Sequence, residues 1–136
     1  MITAVDTSVL LDVFGADPTF GPGSREALRS CLENGALIAC EVVWAEVRAA
    51  FPDDLDAEDA LGRLGVRFHP LDAAAASTAG LAWRTYRKSG GTRTRVISDF
   101  LIAGHAQSHA DQLLTRDRGF FRSYFAALTL IDPSQD

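Results

Sequence analysis

The residues Val5-Asp6-Thr7-Ser8-Val9-Leu10-Leu11-Asp12 decide how the rest of the chain is read. A short run rich in β-branched residues, Ile2 to Val5, ends in the Asp6 carboxylate. Two hydroxyl residues follow, and then apolar residues at helical spacing. That order spells strand, acid, helix cap, helix. An acid at the carboxyl end of a first strand stands where open α/β sheets bind their ligands. Whether Asp6 belongs to a site depends on which other acids reach the same edge. Asp12 is not expected among them: six residues on, along a helix whose apolar side is Val9, Leu10 and Val13, it should face solvent.

Working outward, 136 residues are expected to form one domain, 1–136, with room for one buried core. Hydrophobic residues at 47% and charged residues at 23% describe an ordinary globular chain. No apolar run approaches the roughly 18 residues of a membrane span, and the strand-like start lacks the pattern of a signal peptide. A cytoplasmic protein with no membrane partner is therefore expected. Cys31 and Cys40 sit in apolar surroundings and should be buried free thiols. Net charge is −5, but its distribution matters more. Residues 1–83 carry five basic and thirteen acidic side chains; residues 84–136 carry eight basic and five acidic ones.

The pattern predicts a helix over Ser8–Phe14, a Pro/Gly loop over Gly15–Gly23, and a second helix capped by Ser24 and stopped at Asn34-Gly35. A second strand covers Ala36–Ala39. On the next helix, residues 41–51, Val43, Val47, Ala50 and Phe51 make a buried stripe. Glu46 flanks that stripe, while Glu41, rotated by about 140° at ~100° per residue, lies nearer the opposite face. After an acidic connection, Pro52–Asp59, come a short helix (57–64), a third strand (66–68) and a long helix from Asp72 to about Lys88. Ala79, Ala82, Trp83 and Tyr86 form that helix's apolar stripe, and Arg84, Arg87 and Lys88 share a basic patch. A basic loop, Ser89–Arg95, leads to Ser98 as the N-cap of a mostly apolar helix ending near His109. A fourth strand (112–114) ends at Thr115-Arg116-Asp117. A helical segment (120–125) and a last strand (128–131) close the chain. Alternating strands and helices predict a three-layer α/β/α domain with a central, mostly parallel sheet.

Four acids thus acquire one address. Asp6 and Asp117 end strands, Glu46 lies on the helix after the second strand, and Asp99 opens the helix leading to the fourth. Each alone also fits a local role: helix cap, helix-dipole acid, surface glutamate or turn residue. Together at one sheet edge they repel, unless protons or cations intervene. Hard divalent cations such as Mg²⁺ and Mn²⁺ suit carboxylate oxygens and water, and no cysteine–histidine set invites a softer metal. His105 and His109 are four apart but lack the adjoining glutamate of a zinc-peptidase helix, and they are expected to form an ordinary polar face. His69 carries no clear signal. Trp44, Trp83 and Tyr86 are expected in the core or at a subunit contact.

The four stretches Asp6-Thr7-Ser8-Val9-Leu10-Leu11, Val42-Val43-Trp44-Ala45-Glu46-Val47, Ser98-Asp99-Phe100-Leu101-Ile102-Ala103 and Leu113-Leu114-Thr115-Arg116-Asp117-Arg118-Gly119-Phe120 together resemble the PIN-domain nucleases, and among them the VapC-type toxins of toxin–antitoxin pairs. The resemblance runs through essentially the whole chain, in order. Ser98 stands where many relatives have proline. The likeness implies that Asp6, Glu46, Asp99 and Asp117 are the catalytic, metal-holding acids, for one or two Mg²⁺ or Mn²⁺ ions. Thr7, Ser8 and Thr115 would support them. It implies endonucleolytic cleavage of RNA by metal-activated water, leaving by analogy a 5′-phosphate and a 3′-hydroxyl. It further implies a cognate VapB-type antitoxin and a homodimer. Because an acidic pocket repels RNA, cations must hold the phosphates. Arg116 and Arg118 are the first candidates, with Arg93, Arg95, Arg87 and Lys88, and also Arg84 and Arg122, behind them. The alternatives are a catalytically silent PIN-like RNA- or protein-binding module, a receiver domain, or a phosphatase of another α/β family. A haloacid-dehalogenase-like phosphatase needs an Asp where Ser8 stands. A receiver needs an acid beside Asp6 and a late lysine, and Lys88 is the only lysine.

Overall fold

The computed structural model describes residues 1–53, 55–90 and 97–134. The elements follow in the order β1 (Ile2–Val5), α1 (Thr7–Phe14), α2 (Gly21–Glu33), β2 (Ala36–Ala39), α3 (Glu41–Ala50), α4 (Ala57–Arg63), β3 (Val66–Phe68), α5 (Ala73–Lys88), α6 (Ile97–His109), β4 (Gln112–Leu114), α7 (Arg118–Tyr124) and β5 (Leu130–Ile131). The strands form one sheet in the order β3-β2-β1-β4-β5, and every pair is parallel. This is the three-layer α/β/α arrangement expected from the alternation of elements.

The strand order positions the site. From β1 the chain steps outward to β2 and β3, then returns past β1 to lay down β4 and β5. Crossovers running in opposite directions put their helices on opposite faces when all are right-handed. The reversal falls between β1 and β4, so the helices diverge there and leave a crevice above the carboxyl ends of those strands. Asp6 follows β1 directly, and Thr115 to Asp117 follow β4. The register pairs Val5 with Leu114, and the Asp6 N–H donates to the Leu114 carbonyl at 2.9 Å. The two strand ends are thereby fixed side by side.

The inner strands are buried along Thr3–Val5, Leu37–Ala39 and Gln112–Leu114, as strands covered on both faces must be. The buried Gln112 amide donates to Thr3 Oγ1 at 2.9 Å, so the polar residues of these strands satisfy one another. Helix α6 is the central helix expected from its composition: Phe100, Ile102, Ala103 and Ala106 are buried. It lies close against the alanine-rich α5. A Cβ on Gly104 would stand 2.6 Å from the Ala75 carbonyl oxygen and 3.1 Å from the Ala79 Cβ, so only glycine permits this approach. Cys31 and Cys40 are buried and free. Tyr86 is buried, and Trp44 and Trp83 pack against the core.

Several boundaries differ from expectation. Helix α2 begins at Gly21, not after Ser24. Pro22 fits the first turn, where its missing N–H costs no hydrogen bond, and Ser24 lies fully buried inside the helix. Helix α6 begins at Ile97, so Ser98 sits in its first turn and not at its cap. Helix α7 starts two residues earlier than the expected segment. Strand β5 is two residues, shorter than the apolar run that predicted it.

Candidate active site

Asp6 leaves β1 in an extended conformation and is the N-cap residue of α1 by position, yet its side chain makes no cap hydrogen bond. Oδ2 instead accepts a 2.7 Å hydrogen bond from the Thr115 hydroxyl, across the β1–β4 seam. Thr115 is completely buried, and its Oγ1 also accepts from the Asp117 N–H at 3.0 Å. One hydroxyl thus ties the first acid to the backbone of the last. Asp117 is likewise the N-cap residue of α7 without a side-chain cap bond. The capping roles open to both strand-end acids are therefore not the ones their side chains fill. Glu46, exposed on α3, is drawn toward α1 by the Thr7 hydroxyl, which donates to Oε1 at 2.7 Å. Asp99 sits in the first turn of α6. Its neighbour Phe100 is fully buried and stacks edge-on with Phe120, two residues into α7, at a centroid distance of 5.5 Å. The Phe100–Phe120 contact ties the start of α6, with Asp99, to the start of α7, which Asp117 precedes.

These elements close around a cavity of about 420 Å³ lined by Asp6, Thr7, Ser8, Leu11, Glu46, Asp99, Arg116 and Asp117. All four acids proposed from sequence share it. The Asp6 carboxyl is pushed up to about 6, first because burial strips its hydration, and further by the negative charges of Asp99 and Glu46; the Thr115 hydroxyl and the Thr7 backbone oppose the rise. At neutral pH the ionised pocket is therefore short of positive charge. Among the described residues, no three His, Cys, Asp or Glu side chains approach closely enough to hold an ion unaided. The donor set is nevertheless all oxygen. Mg²⁺ keeps several waters and takes one or two carboxylates, so a hydrated divalent ion fits this set where a softer metal does not.

The basic residues divide. Arg116 lines the cavity, but its guanidinium is already engaged: Nε lies 2.7 Å from Asp12 Oδ2 and Nη2 lies 3.0 Å from Asp12 Oδ1. Asp12 is 5% exposed, which corrects the expectation that it is solvated. Three residues after Val9 and four after Ser8, it shares their side of α1, and its charge is matched by Arg116 and by the Ser24 hydroxyl at 2.9 Å. Arg118 is half-buried at the start of α7. Arg84, Arg87, Lys88 and Arg122 are exposed and do not line the cavity. Arg87 lies over the Trp83 ring at 5.2 Å. Arg93 and Arg95 lie outside the described residues.

The histidines also depart from expectation. His105 is 1% exposed, not part of a polar helix face. Its Nε2 is 3.0 Å from His69 Nδ1, so the histidine without a signal supplies its partner. His109 stacks beside both, at ring distances of 4.7 Å to His69 and 5.5 Å to His105. Its Nε2 lies 2.8 Å from Asp72 Oδ2 without the alignment of a hydrogen bond. Sequence reasoning missed this cluster because the link between β3 and α6 is tertiary. It missed the Asp12–Ser24–Arg116 group for the same reason, although the i+3 spacing of Asp12 from Val9 was a readable signal.

The chain superposes on several solved structures over nearly its whole length. VapBC2 from Rickettsia felis, bound to a DNA fragment from its promoter, is 19% identical, with a TM-score of 0.74 over 97% of this chain and 98% of that one. VapBC-1 from nontypeable Haemophilus influenzae is 20% identical, with a TM-score of 0.72 over 99% and 100%. FitAcB from Neisseria gonorrhoeae is 26% identical, with a TM-score of 0.65 over 98% of each. No curated protein sequence matches the chain, and no described helix is long and apolar enough to cross a membrane. The family model described as PIN domain matches residues 3–126, a span that takes in all five acids and hydroxyls wired across the β1–β4 seam and α3, and the chain belongs to the PIN domain family.

Proposed function

We propose that this protein is a divalent-metal-dependent endoribonuclease of the VapC type, the toxin of a toxin–antitoxin pair. The observation that carries the reading is the convergence of Asp6, Glu46, Asp99 and Asp117 on one cavity at the sheet's switch point. Use of divalent metal ions is general among PIN nucleases, and the oxygen-only donor set supports Mg²⁺ or Mn²⁺ as the ion, one or two in number. Asp6, Glu46, Asp99 and Asp117 would hold it, each through a carboxylate with water completing the shell. When bound, the ion supplies charge neutralisation at the scissile phosphate and activation of the attacking water.

The chain's own residues do the rest. Thr115 holds Asp6 Oδ2 in one orientation, and Thr7 does the same for Glu46, so two acids meet the ion pre-aligned. Ser8 lines the cavity beside them. Arg118, flanking Asp117, would offset part of the acidic field that otherwise repels the RNA backbone, and Arg116, its charge already matched by Asp12, adds hydrogen-bond donors at the cavity wall. An antitoxin partner is supported by the structural neighbours, which are VapBC and FitAB-type complexes; a homodimer follows from the family likeness. The purified protein, incubated with total cellular RNA and Mg²⁺ or Mn²⁺, should give discrete new ends that Asp99→Ala does not produce. The same fragments from both proteins would remove the assignment.

A further inference from the structure

One cation in the acidic cavity is already ordered. The Nε/Nη2 edge of Arg116 is paired side-on with Asp12, and its guanidinium carbon lies 4.1 Å over the Phe20 ring. Asp12 Oδ2 accepts a second hydrogen bond, from the buried Ser24 hydroxyl. Asp12 of α1 and Phe20 before α2 therefore fix the arginine that sits between Thr115 and Asp117, and Ser24 of α2 holds Asp12 in turn. The pairing consumes one edge of the guanidinium fork. Nη1 makes no hydrogen bond among the described residues, and the side chain remains 29% exposed where it lines the cavity.

We infer that Asp12 is a positioning residue for RNA binding: with Ser24 and Phe20 it holds Arg116 so that Nη1 meets a phosphate oxygen of the bound strand. The inference rests on the nuclease reading of the same cavity. Arginine suits the task because its planar fork engages a carboxylate along one edge and a phosphate along another. A free arginine at the rim would have to be ordered on binding, and here that cost is met during folding.

Positioning and simple electrostatics act on RNA binding with opposite signs here. Deleting a carboxylate next to a phosphate-binding pocket should tighten RNA binding. If Asp12 positions Arg116, deleting it weakens binding. The test uses the full chain carrying Asp99→Ala to prevent cleavage, with Mg²⁺ and a labelled single-stranded oligoribonucleotide, read by fluorescence anisotropy across a salt series. Asp12→Asn is expected to weaken binding by about 2- to 12-fold, the ordering cost of one long side chain. Arg116→Lys, which keeps the charge but not the fork, should weaken binding similarly while keeping the salt dependence. Arg116→Gln should lower the slope of log affinity against log salt by about 0.7. Equal or tighter binding by folded Asp12→Asn overturns the inference. Should Asp12→Asn fail to fold, unchanged binding by Arg116→Lys overturns it instead. A parent that binds no RNA, alongside wild type that cleaves none with either metal, removes the nuclease reading and this inference with it. Cleavage by wild type with indifferent Asp12 and Arg116 variants removes this inference alone.

Discussion

The acidic cavity and the histidine cluster present the same electrostatic problem with opposite signs. In each, like-charged groups crowd around a buried member. Asp6 is pushed up to about 6 by burial and by Asp99 and Glu46, and His105 is pushed down to about 4 by burial and by His69 and His109, with Glu41 opposing. Both groups resist becoming charged. The solutions differ. His105, on α6, is almost fully buried and shares a hydrogen bond with His69, so a neutral tautomer satisfies it without a ligand. Asp6 opens onto a cavity of about 420 Å³ with three more carboxylates, and a proton or a cation must enter to relieve it. Frustrated charge is therefore a sign of binding only where the geometry leaves room for a partner.

The two regions should separate most clearly on substitution of their buried members. Asp6→Asn should reduce RNA cleavage by roughly 10³-fold or more, with the fold retained by circular dichroism. His105→Gln should leave cleavage per folded molecule nearly unchanged. Loss of cleavage in folded His105→Gln would make the two regions functionally continuous. A smaller effect is expected from metal itself. Mn²⁺ at about a hundred times its Kd should stabilise wild type by about 2.7 kcal/mol, measured by denaturant unfolding, and should not stabilise Asp6→Asn. The gain should shrink as pH falls below about 6, because the Asp6 proton competes with the ion.

Smaller still are two opposed pH slopes in the metal-free protein. Asp6 has a folded value of about 6 against the ordinary carboxyl value of 3.8, so its contribution to stability is complete below about 3.8 and is lost as pH rises through 6. His105 has a folded value of about 4 against an ordinary 6.5, so its contribution is present above 6.5 and is lost as pH falls toward 4. Between pH 4 and 6 the two largely cancel, each changing by at most ~1.4 kcal/mol per pH unit. Asp6→Asn should unmask a loss of stability on acidification, relative to wild type, and His105→Gln should unmask a gain. Unfolding curves at pH 4.5, 5.5 and 6.5 decide it; parallel curves for all three proteins would show that neither group is perturbed. The smallest effect is expected from Thr7→Val, which frees Glu46 and should lower cleavage by no more than about tenfold, because Glu46 is exposed and the net worth of a typical hydrogen bond is about 1 kcal/mol.

Much of the fold was legible because its signals are local. The apolar runs that became β1, β2 and β4, the asparagine–glycine stop of α2 and the aspartate cap of α5 each depend on neighbours within a few residues. The start of α2 moved because a tertiary partner outweighed a local signal. Ser24 reads as a cap, but its hydroxyl answers Asp12, twelve residues away. Asp6, Asp99 and Asp117 were legible because each adjoins an element end, and Glu46 because it flanks the apolar stripe of α3. Arg116 and Asp12 were half-legible: both charges were visible, but not that they are 2.7 Å apart. A helical wheel reports which side of α1 Asp12 lies on, not what covers that side.

Asp6 shows where the division falls. The sequence alone determined that a strand ends there in a carboxylate followed by hydroxyls, because strand, acid and helix start are written in consecutive residues. It also determined that three acids stand at element ends and that Glu46 flanks the buried stripe of α3, as the likeness to PIN domains implies for a metal site. Only the tertiary structure decided that β4 lies beside β1, since strand order is set by long-range pairing that no local pattern encodes. That adjacency brings Thr115 to Asp6, Asp117 to Thr115, and Arg116 to Asp12. Hydrogen bonds and ion pairs act over a few Å, and separations of 104 and 109 residues are brought within that range only by the fold.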